Sequence, residues 1–295
     1  MALQFAMSWA SRSRRALARD FCSAKARPEL CVLHLAAPSL PLVEQLAVEE
    51  ALLRADARNW CVVGHGAAGP PTVVLGVAGR ADRLVHGELC RARGVPVLRR
   101  FTGGGTVVVD AGTLFVSLVA NKLDVPARAG GAPPPLFPRD VMRWSADEVY
   151  APVFARAFGA PGFALREHDY CWEDRKVGGN AQSVSRDRWL HHTSFLWDFD
   201  PRNMELLTMP EKRPEYRRDR AHTDFLVPLS SIRRPQPGSA GAAPAPAPTR
   251  DDFVRALFDR LREDWDVREA TLADALEVAA RPQALERRSN VFVEV

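Results

Sequence analysis

Residues 99–106 of this 295-residue chain read RRFTGGGT, and the sheet can be traced outward from this stretch. β-Rich runs lie on both sides, at 95–98 and 106–109, so the three glycines fall in a turn between strands. Glycine N–H groups are unshielded and can bind an anion, and Arg99 and Arg100 add planar donors for phosphate or carboxylate. The stretch predicts an anion site, with a flexible hairpin turn beside two surface arginines as the alternative. No Gly-Lys-Ser/Thr follows, so it is not a Walker loop.

A second candidate for ligand binding is the stretch DRKVGGNAQ at residues 174–182. Lys176 stands beside Gly178 and Gly179, which suggests a cation poised over an anion with backbone N–H groups nearby. Lys-Val-Gly-Gly is also a plausible turn, and taken alone its propensities favour that simpler interpretation.

The remaining reactive side chains carry less weight. His191 and His192 are adjacent in a strand-like run, so they point to opposite faces and would not easily share one metal. Ser194 lacks the GxSxG elbow of a serine hydrolase. None of the five cysteines belongs to a CxxC pair, which favours a reducing compartment over a disulfide framework or a zinc site. Cys171, five residues before Lys176, is expected to be a buried structural cysteine.

Hydrophobic periodicity predicts helices and strands without a regular βαβ alternation. The clearest helix is at 41–54, with apolar residues at helical spacing and acids on the other face. A second helix is expected at 145–158, with Asp147 and Glu148 in its first turn. The other expected elements are a helix at 250–265 with Phe253, Leu257 and Leu261 on one face, and strands at 72–76, 114–119, 163–165, 193–199 and 291–295. This mixture points to an α+β domain rather than a doubly wound sheet.

Composition divides the chain into four segments. Residues 1–27 hold six basic residues against one acid and have the Arg/Ser/Ala-rich composition of a mitochondrial presequence, so a location in the matrix is expected. Residues 28–234, which hold both glycine-containing stretches, are expected to form the main folded domain and to carry any catalytic site. Residues 235–249 (PQPGSAGAAPAPAPT) form a Pro/Ala-rich linker, and 250–295 a short C-terminal helical extension. Residues 127–138, rich in Gly, Ala and Pro, should form a surface loop.

The distribution of charge argues against a nucleic-acid partner. The net charge is +4 and the pI is near 9.0, but without residues 1–27 the chain holds 34 basic and 35 acidic residues. A nucleic-acid-binding domain usually has a basic face of its own. No apolar run is long enough to span a bilayer, so neither a nucleic acid nor a membrane is expected as a partner.

The order of the motifs is more specific than any one of them. Arg99-Arg100-x-Thr102-Gly-Gly-Gly-Thr-Val-x-x-Asp110 is followed about seventy residues later by Lys176-Val-Gly-Gly-Asn-Ala-Gln, and then by His191-His192-x-Ser. Over roughly residues 38–230 the chain resembles the lipoate–protein ligase A family of the biotin/lipoate ligase superfamily. It is most similar to eukaryotic members, through RFTGGGT and HHTSFLWD.

The resemblance implies a fold and a reaction. The implied fold is an α+β catalytic domain with a mixed, mostly antiparallel sheet flanked by helices. The implied reaction joins lipoate, or octanoate, to ATP with the help of Mg²⁺, giving an acyl-adenylate. A lysine ε-amine of a lipoyl-domain carrier protein then displaces AMP. Carriers in this family are the acyltransferase subunits of 2-oxoacid dehydrogenases and the glycine-cleavage H protein.

The resemblance also implies a set of site residues. Lys176 matches the family's essential lysine at the carboxyl–phosphate junction, and no metal ligand is assigned. The other positions, expected to bind substrate or nucleotide, are Arg99, Arg100, Thr102, Gly103, Gly104, Gly105, Thr106, Gly178, Gly179, Asn180, Ala181 and His192. Preorganised donors suit both transition states, because negative charge builds on phosphoryl or acyl oxygens.

Departures from the family pattern leave other activities open. Val109 stands where bacterial ligases usually have histidine, Gly112-Thr113 replaces their Gly-Asn, and 250–295 is too short for an independent accessory domain. One alternative is a lipoyl- or octanoyltransferase that uses a preformed acyl-adenylate, or an acyl-carrier thioester passed to Cys171 or Cys90. A partner protein could also supply the missing part. The others are a biotin ligase and a non-catalytic lipoate- or nucleotide-binding protein.

Overall fold

A computed structural model describes most of the chain. The described residues are 26–35, 40–66, 68–126, 137–159, 162–209, 213–234, 247–286 and 289–295. Three predicted segments fall mainly outside them, namely residues 1–25 of the leader, 127–136 of the surface loop and 235–246 of the linker.

The described strands form two sheets. They are β1 (Glu29–Leu35), β2 (Asn59–His65), β3 (Thr72–Leu75), β4 (Val97–Arg99), β5 (Val107–Val109), β6 (Thr113–Asn121), β7 (Phe163–Arg166), β8 (Asp169–Trp172), β9 (Arg175–Val184), β10 (Arg188–Leu196), β11 (Asp266–Glu269) and β12 (Val291–Phe292). The large sheet has the order β11-β1-β2-β6-β10-β9-β8-β7, and the small sheet the order β12-β4-β3-β5.

Helices cover both faces of the large sheet. They are α1 (Leu42–Ala55), α2 (Ala81–Leu84), α3 (Gly87–Ala92), α4 (Pro138–Trp144), α5 (Ala151–Phe158), α6 (His222–Phe225), α7 (Arg250–Asp264), α8 (Leu272–Ala279) and α9 (Pro282–Leu285). A π-helical turn, Ser145–Tyr150, joins α4 to α5, and short 3-10 helices lie at Pro201–Leu206, Glu215–Arg217 and Leu229–Ser231. In the described part of the chain, no helix is long and apolar enough to cross a membrane.

The expected mixed, mostly antiparallel sheet is confirmed. In the large sheet, β1 runs parallel to β11 and β2, and the other neighbours pair antiparallel. The central strand β6, with the sequence TLFVSLVAN, is buried at every residue except Asn121. Such a continuous apolar run is expected of a strand that is covered on both faces.

Two hydrophobic cores lie on opposite faces of the large sheet. On one face α5 and α7 bring together Phe154, Phe158 and Phe253, all fully buried. On the other face α1 and α8 pack Leu52 and Val278 against the sheet. A third cluster joins the small sheet to the short helices and to residues 204–226. The cleft between the sheets holds the site described below.

The C-terminal segment is part of these cores. Helix α7 begins with a capping box in which Thr249 and Asp252 satisfy each other's backbone N–H groups. Its buried residues, including the expected face of Phe253, Leu257 and Leu261, pack into the first core. After it, β11 extends the large sheet beside β1, and β12 pairs with β4 of the small sheet.

Three local expectations are wrong. The helix expected at 145–158 begins earlier, at Pro138. Its middle part, Ser145–Tyr150, is a π-helical turn that ends just before Pro152, a residue with no backbone N–H to donate. The strand expected at 193–199 is Arg188–Leu196. The acids of α1 do not all face away from the core, since Glu49 and Glu50 are 0% and 1% exposed.

Candidate active site

The cleft between the sheets contains two adjoining cavities, of about 380 Å³ and about 300 Å³. They share one wall, formed by residues 104–107 with Asp169, Lys176, Gly179 and Ser194. One side of the first cavity is apolar, being lined by Leu42, Leu46, Val74, Val109, Phe115 and Met142. The second cavity extends from the shared wall to residues 204–226. Both cavities therefore meet at Lys176.

The glycine loop, residues 103–105, is held in place by Arg100. This arginine is 4% exposed, and its Nη2 donates to the carbonyl oxygens of Gly103 at 2.9 Å and Gly105 at 2.8 Å. Gly104 has φ +100°, and a Cβ there would lie 2.7 Å from Arg100 Nη2 and 3.1 Å from the carbonyl oxygen of Asn180. Burial lowers the pKa of Arg100 to about 10, so the guanidinium is charged at neutral pH. The loop shape therefore depends on a buried cation and on glycine.

The hairpin of β8 and β9 brings a lysine and a carboxylate to the shared wall. Lys176 Nζ lies 2.7 Å from Asp169 Oδ1, and the two side chains are 21% and 10% exposed. Gly179 lies beside the ammonium, since a Cβ there would be in ordinary van der Waals contact with Nζ, at 3.5 Å. The ion pair fixes the position of the ammonium, which is the preorganisation that electrostatic catalysis requires.

Asp169 is held on its other side by the segment that follows the 3-10 helix Pro201–Leu206. Tyr216 Oη donates to Asp169 Oδ2 at 2.9 Å, and the thiol of Cys171 donates to Tyr216 Oη at 3.2 Å. Burial, and then the nearby Asp169 carboxylate, raise the pKa of Tyr216, so the phenol keeps its proton at neutral pH. Tyr216 therefore helps to position Lys176 through Asp169.

Beyond Lys176, β9 walls the first cavity with amide side chains. Asn180 Nδ2 donates to the carbonyl oxygen of His168 at 2.9 Å, and its Oδ1 accepts from Gln182 Nε2 at 2.6 Å. Gln182 Nε2 also lies 3.0 Å from Nδ1 of His191, on the neighbouring strand. These bonds fix both amides, so the wall presents a defined set of polar groups.

The two adjacent histidines of β10 occupy opposite faces, as expected. His191 bonds to Tyr170 Oη at 2.8 Å on the side of the first core. His192 lines the first cavity, and its Nδ1 lies 2.7 Å from Glu49 Oε2 and 2.9 Å from Ser117 Oγ. A carboxylate only accepts, so the ring carries its proton on Nδ1 and, when neutral, leaves Nε2 as an acceptor.

The structure brings most of the proposed site residues to the cavities. Those that line the first cavity are Arg100, Gly104, Gly105, Thr106, Lys176, Gly179, Asn180, Ala181 and His192. Four others line neither cavity. Arg99 donates to the carbonyl oxygen of Gly79, and Thr102 is buried. The N–H of Gly103 donates to the carbonyl oxygen of Gln182, and Gly178 packs beneath Phe195. These four support the loop and the strand from behind.

Sequence reasoning missed two carboxylates that orient site residues. Asp169 could have been identified from the sequence, because the Glu173-Asp174 turn folds β8 back on β9 and brings residues before the turn beside Lys176. Glu49 had no such signal, since acids at these positions of an amphipathic helix usually face water. Its role depends on β10, more than a hundred residues away, which presents His192 to it.

Neither metal-ligand clusters nor accessible thiols are found in the described part of the site. No group of three or more His, Cys, Asp or Glu side chains among the described residues could hold a metal ion. Cys31, Cys61, Cys90 and Cys171 are free and buried, and none lines either cavity. Burial raises the pKa of Cys171 to about 11, which disfavours a thiolate nucleophile.

The arrangement suits a reaction that joins two ligands at one cation. The first cavity has an apolar side and fixed polar groups, and the second opens beyond Lys176. An ammonium on the wall between them can stabilise negative charge that develops where the two ligands meet.

Three curated relatives show what the chain is similar to. It is 28% identical to the "inactive lipoate–protein ligase 2" of Plasmodium falciparum over 52% of this chain and 46% of that protein. It is 29% identical to a putative lipoate-protein ligase A of Aeropyrum pernix, over 56% and 58% of the two chains. It is 27% identical to the octanoyltransferase LipM of Kyrpidia tusciae, over 73% and 83%. The chain thus spans about half the length of the first two relatives.

Three solved structures share the fold. A lipoate-protein ligase A bound with ATP superposes with a TM-score of 0.61 at 18% identity, covering 88% of this chain and 95% of that chain. A putative ligase from T. acidophilum with bound lipoic acid gives 0.59 at 17%, covering 86% and 93%. A bipartite ligase from Thermoplasma acidophilum, studied with its E2 lipoyl domain, gives 0.61 at 19%, covering 88% and 92%.

The catalytic-domain model of this group matches residues 41–236, which contain both motif stretches and all the described residues that line the two cavities. This match covers more than half of the chain. The chain therefore belongs to the lipoyl protein ligase A/B catalytic-domain family.

Proposed function

We propose that the protein is a lipoate–protein ligase, which activates lipoate or octanoate with ATP and transfers the acyl group to a lysine of a lipoyl-domain carrier protein. The observation that carries this proposal is the position of Lys176, paired with Asp169 on the wall shared by the two cavities. Adenylate formation needs a carboxylate and a phosphate to meet beside a cation, and this wall offers such a place.

The two cavities differ in the ligand they suit. The apolar side of the first cavity, which includes Leu46, Val74 and Phe115, suits the hydrocarbon chain of the acid. The second cavity, reached past Thr106 and Lys176, would take the nucleotide. The lipoic acid and ATP named for the two structural neighbours support this assignment of ligand types.

In the first step a carboxylate oxygen of the acid attacks the α-phosphorus of ATP, and the bond to pyrophosphate breaks. The Lys176 ammonium stabilises the charge on the oxygens at this junction, while Asp169 and Tyr216 keep it in place. In the second step the carrier's lysine amine attacks the acyl carbon, and AMP leaves with the bonding electrons. Neither step needs an enzyme-bound acyl group.

Magnesium has little protein to hold it at this site. Asp169 is the single carboxylate among the described residues that line the cavities, and both of its oxygens are already engaged. Mg²⁺ usually binds through one or two carboxylates and the phosphates of the substrate. The ion would therefore enter with the nucleotide, held mainly by its phosphates.

The proposed carriers are the lipoyl domains of 2-oxoacid dehydrogenase acyltransferase subunits and the glycine-cleavage H protein. The neighbour studied with its E2 lipoyl domain supports a carrier of this type.

A mitochondrial matrix location is also proposed, from the basic composition of residues 1–27. Fusing residues 1–27 to a fluorescent protein tests it, since a cytosolic reporter would contradict the proposal.

The decisive experiment is a lipoylation assay with an apo lipoyl domain as acceptor. Lipoate with Mg-ATP, preformed lipoyl-AMP, and an octanoyl-carrier thioester are compared as donors. Lys176→Met removes the ammonium, and Lys122→Met is the matched control because Lys122 is half-buried and lines neither cavity. We expect lipoate and ATP to modify the acceptor domain. Lys176→Met should lower the rate of modification at least about 100-fold, which is the usual effect of removing one preorganised donor from an active site.

Other outcomes select among the alternatives. Modification from lipoyl-AMP alone would make the protein a transferase that depends on another enzyme for activation. Transfer from the thioester, abolished by Cys171→Ala or Cys90→Ala, would select the octanoyltransferase activity suggested by one relative's name. Binding of lipoate without any transfer would select a non-catalytic protein, for which the relative named inactive is a precedent.

A further inference from the structure

The second cavity contains a buried arginine that the motifs did not identify. Arg217 is 4% exposed and lines this cavity, and its Nη2 is buried with no hydrogen-bond partner among the described residues. An unsatisfied buried donor of this kind is costly, and the cost is larger when the donor is charged.

The guanidinium of Arg217 is fixed in orientation. Its Nε donates to the carbonyl oxygen of Arg220 at 3.2 Å, and its central carbon lies 4.8 Å from the centre of the Phe225 ring. Contacts to one edge and to one face of the planar group leave Nη2 unpaired and able to meet a ligand. A preorganised guanidinium loses little freedom when it binds a planar or tetrahedral anion.

The charges around the second cavity are unbalanced. Lys176 and Arg217 are cations, and Asp169 is the one carboxylate among the described lining residues. His222, also on the wall, is neutral at pH 7, because burial and the nearby Arg217 and Lys176 lower its pKa to about 4. An anion would restore the balance.

A second polar group on the wall also has no partner. Thr106, at the end of the glycine loop, lines both cavities, and its buried hydroxyl makes no hydrogen bond to any described residue. A hydroxyl can also donate one hydrogen bond to a phosphate oxygen. Two unsatisfied donors therefore border the same space.

We infer that Arg217 is a phosphate-binding residue of this protein, which holds a phosphate group of the co-substrate in the second cavity together with Thr106. Two sources share this chemistry, namely the phosphates of a nucleotide and the phosphate of a phosphopantetheine arm. The choice between them rests on the proposed function, whereas the anion site itself does not. The neighbouring Tyr216 bonds to Asp169, so a single short segment supplies both the phosphate ligand and the support of Lys176.

Calorimetric titration of the full chain with ATP, 4′-phosphopantetheine and lipoate tests the inference. Arg217→Met removes the charge, Arg217→Lys keeps the charge without the planar donors, and Arg218→Met is the matched control because Arg218 is exposed and lines neither cavity. We expect Arg217→Met to weaken binding of the phosphorylated ligand about 10- to 100-fold, as for lost charge-assisted hydrogen bonds. Arg217→Lys should be intermediate, and Arg218→Met should bind as the parent protein does. Lipoate affinity should stay unchanged in all three.

Several results would overturn the inference. Unchanged binding of the phosphorylated ligand, whether ATP or 4′-phosphopantetheine, in Arg217→Met would do so, as would an equal loss of lipoate affinity, which would make the role of Arg217 structural. Failure of the parent protein to bind either phosphorylated ligand would also remove the phosphate site. If 4′-phosphopantetheine binds through Arg217 and ATP does not, the inference stands and the ATP-dependent ligase is rejected.

Discussion

At the scale of single residues, the buried carboxylate of Glu49 controls the orientation of His192. Glu49 Oε2 lies 2.7 Å from His192 Nδ1, and its Oε1 accepts from Gln45 Nε2 at 3.2 Å. A buried charge is tolerated only when it is paired and hydrogen-bonded, so the helix and the strand must meet in one register. The imidazole that lines the first cavity is therefore held from outside the cavity.

Replacing this carboxylate by its amide tests the role of Glu49. Glu49→Gln keeps the shape but exchanges a charge-assisted hydrogen bond for a neutral one, so we expect the free energy of unfolding to fall by about 1–3 kcal/mol. Lipoate binding should weaken as well, because the ring is no longer held in one tautomer. Urea denaturation and lipoate titration measure both effects. Glu44→Gln, at an exposed position of α1, should change neither.

The burial of His191 should make the free energy of unfolding depend on pH. Full burial, and then the nearby His192, lower the pKa of His191 from 6.5 to about 3. The unfolded chain therefore takes up this proton at a higher pH than the folded protein does. The stability linked to His191 is complete above pH 6.5 and is lost as the pH falls toward 3, with a slope near 1.4 kcal/mol per pH unit.

Urea denaturation curves at pH 7, 6 and 5 measure this slope. His191→Gln removes the titrating group while keeping polar atoms near Tyr170 and Gln182, so its stability should depend less on pH. An equally steep dependence in the variant would assign the effect to other groups, of which His222 is the first candidate because its pKa is about 4.

At the scale of structural elements, the glycine loop is defined by one backbone angle. Gly104 has φ +100°, a conformation that residues with a Cβ rarely adopt, and the added atom would meet Arg100 Nη2 at 2.7 Å. Gly103 has no positive φ, and a Cβ there would lie 3.9 Å from its nearest neighbour, the carbonyl oxygen of Gln182. Position 104 therefore requires glycine, whereas position 103 has room for a Cβ.

Alanine substitutions separate these requirements. Gly104→Ala should lower the free energy of unfolding by about 1–3 kcal/mol, because it adds backbone strain and displaces Arg100. It should also reduce turnover in the lipoylation assay. Gly103→Ala should stay within about 0.5 kcal/mol of the parent protein, as for a substitution without strain. Equal effects of the two would show that the loop is not constrained at Gly104.

The elements also show which parts of the site could be predicted from sequence. The glycine loop and the stretch around Lys176 are local, because each is a short run of residues whose chemistry and turn propensity are readable in place. Asp169 is also close to Lys176 in sequence, across the turn between β8 and β9, whereas Glu49 meets His192 only through the packing of α1 against a strand far along the chain. Arg217 was missed for the same reason, since its segment has no motif and comes to the site through Tyr216 and Asp169.

At the scale of the whole molecule, residues 247–295 belong to the same folding unit as the two motifs. Phe253, Leu257, Leu261 and Trp265 are at most 4% exposed in the first core. Farther along, Ser289 and Asn290 donate to the buried carboxylate of Glu50, and Asn290 Oδ1 accepts from the N–H of Phe101, next to the glycine loop. The end of the chain thus supports both a core and the loop.

Two truncations separate these contributions. Each fully buried apolar side chain contributes about 1.5–3 kcal/mol, so removing residues 247–295 takes away an amount comparable with the whole stability of about 5–15 kcal/mol. We expect that truncated protein to lose cooperative unfolding. Removing only 289–295 leaves the two cores of the large sheet intact. It takes away β12 and the contacts of Val293 and Val295 with the third cluster, leaves Glu50 with Arg54 and leaves the N–H of Phe101 without its partner. That protein should fold with a lower melting temperature and bind lipoate more weakly, as measured by thermal denaturation and titration. A cooperative transition in the longer truncation would instead make 28–234 a domain that is stable alone.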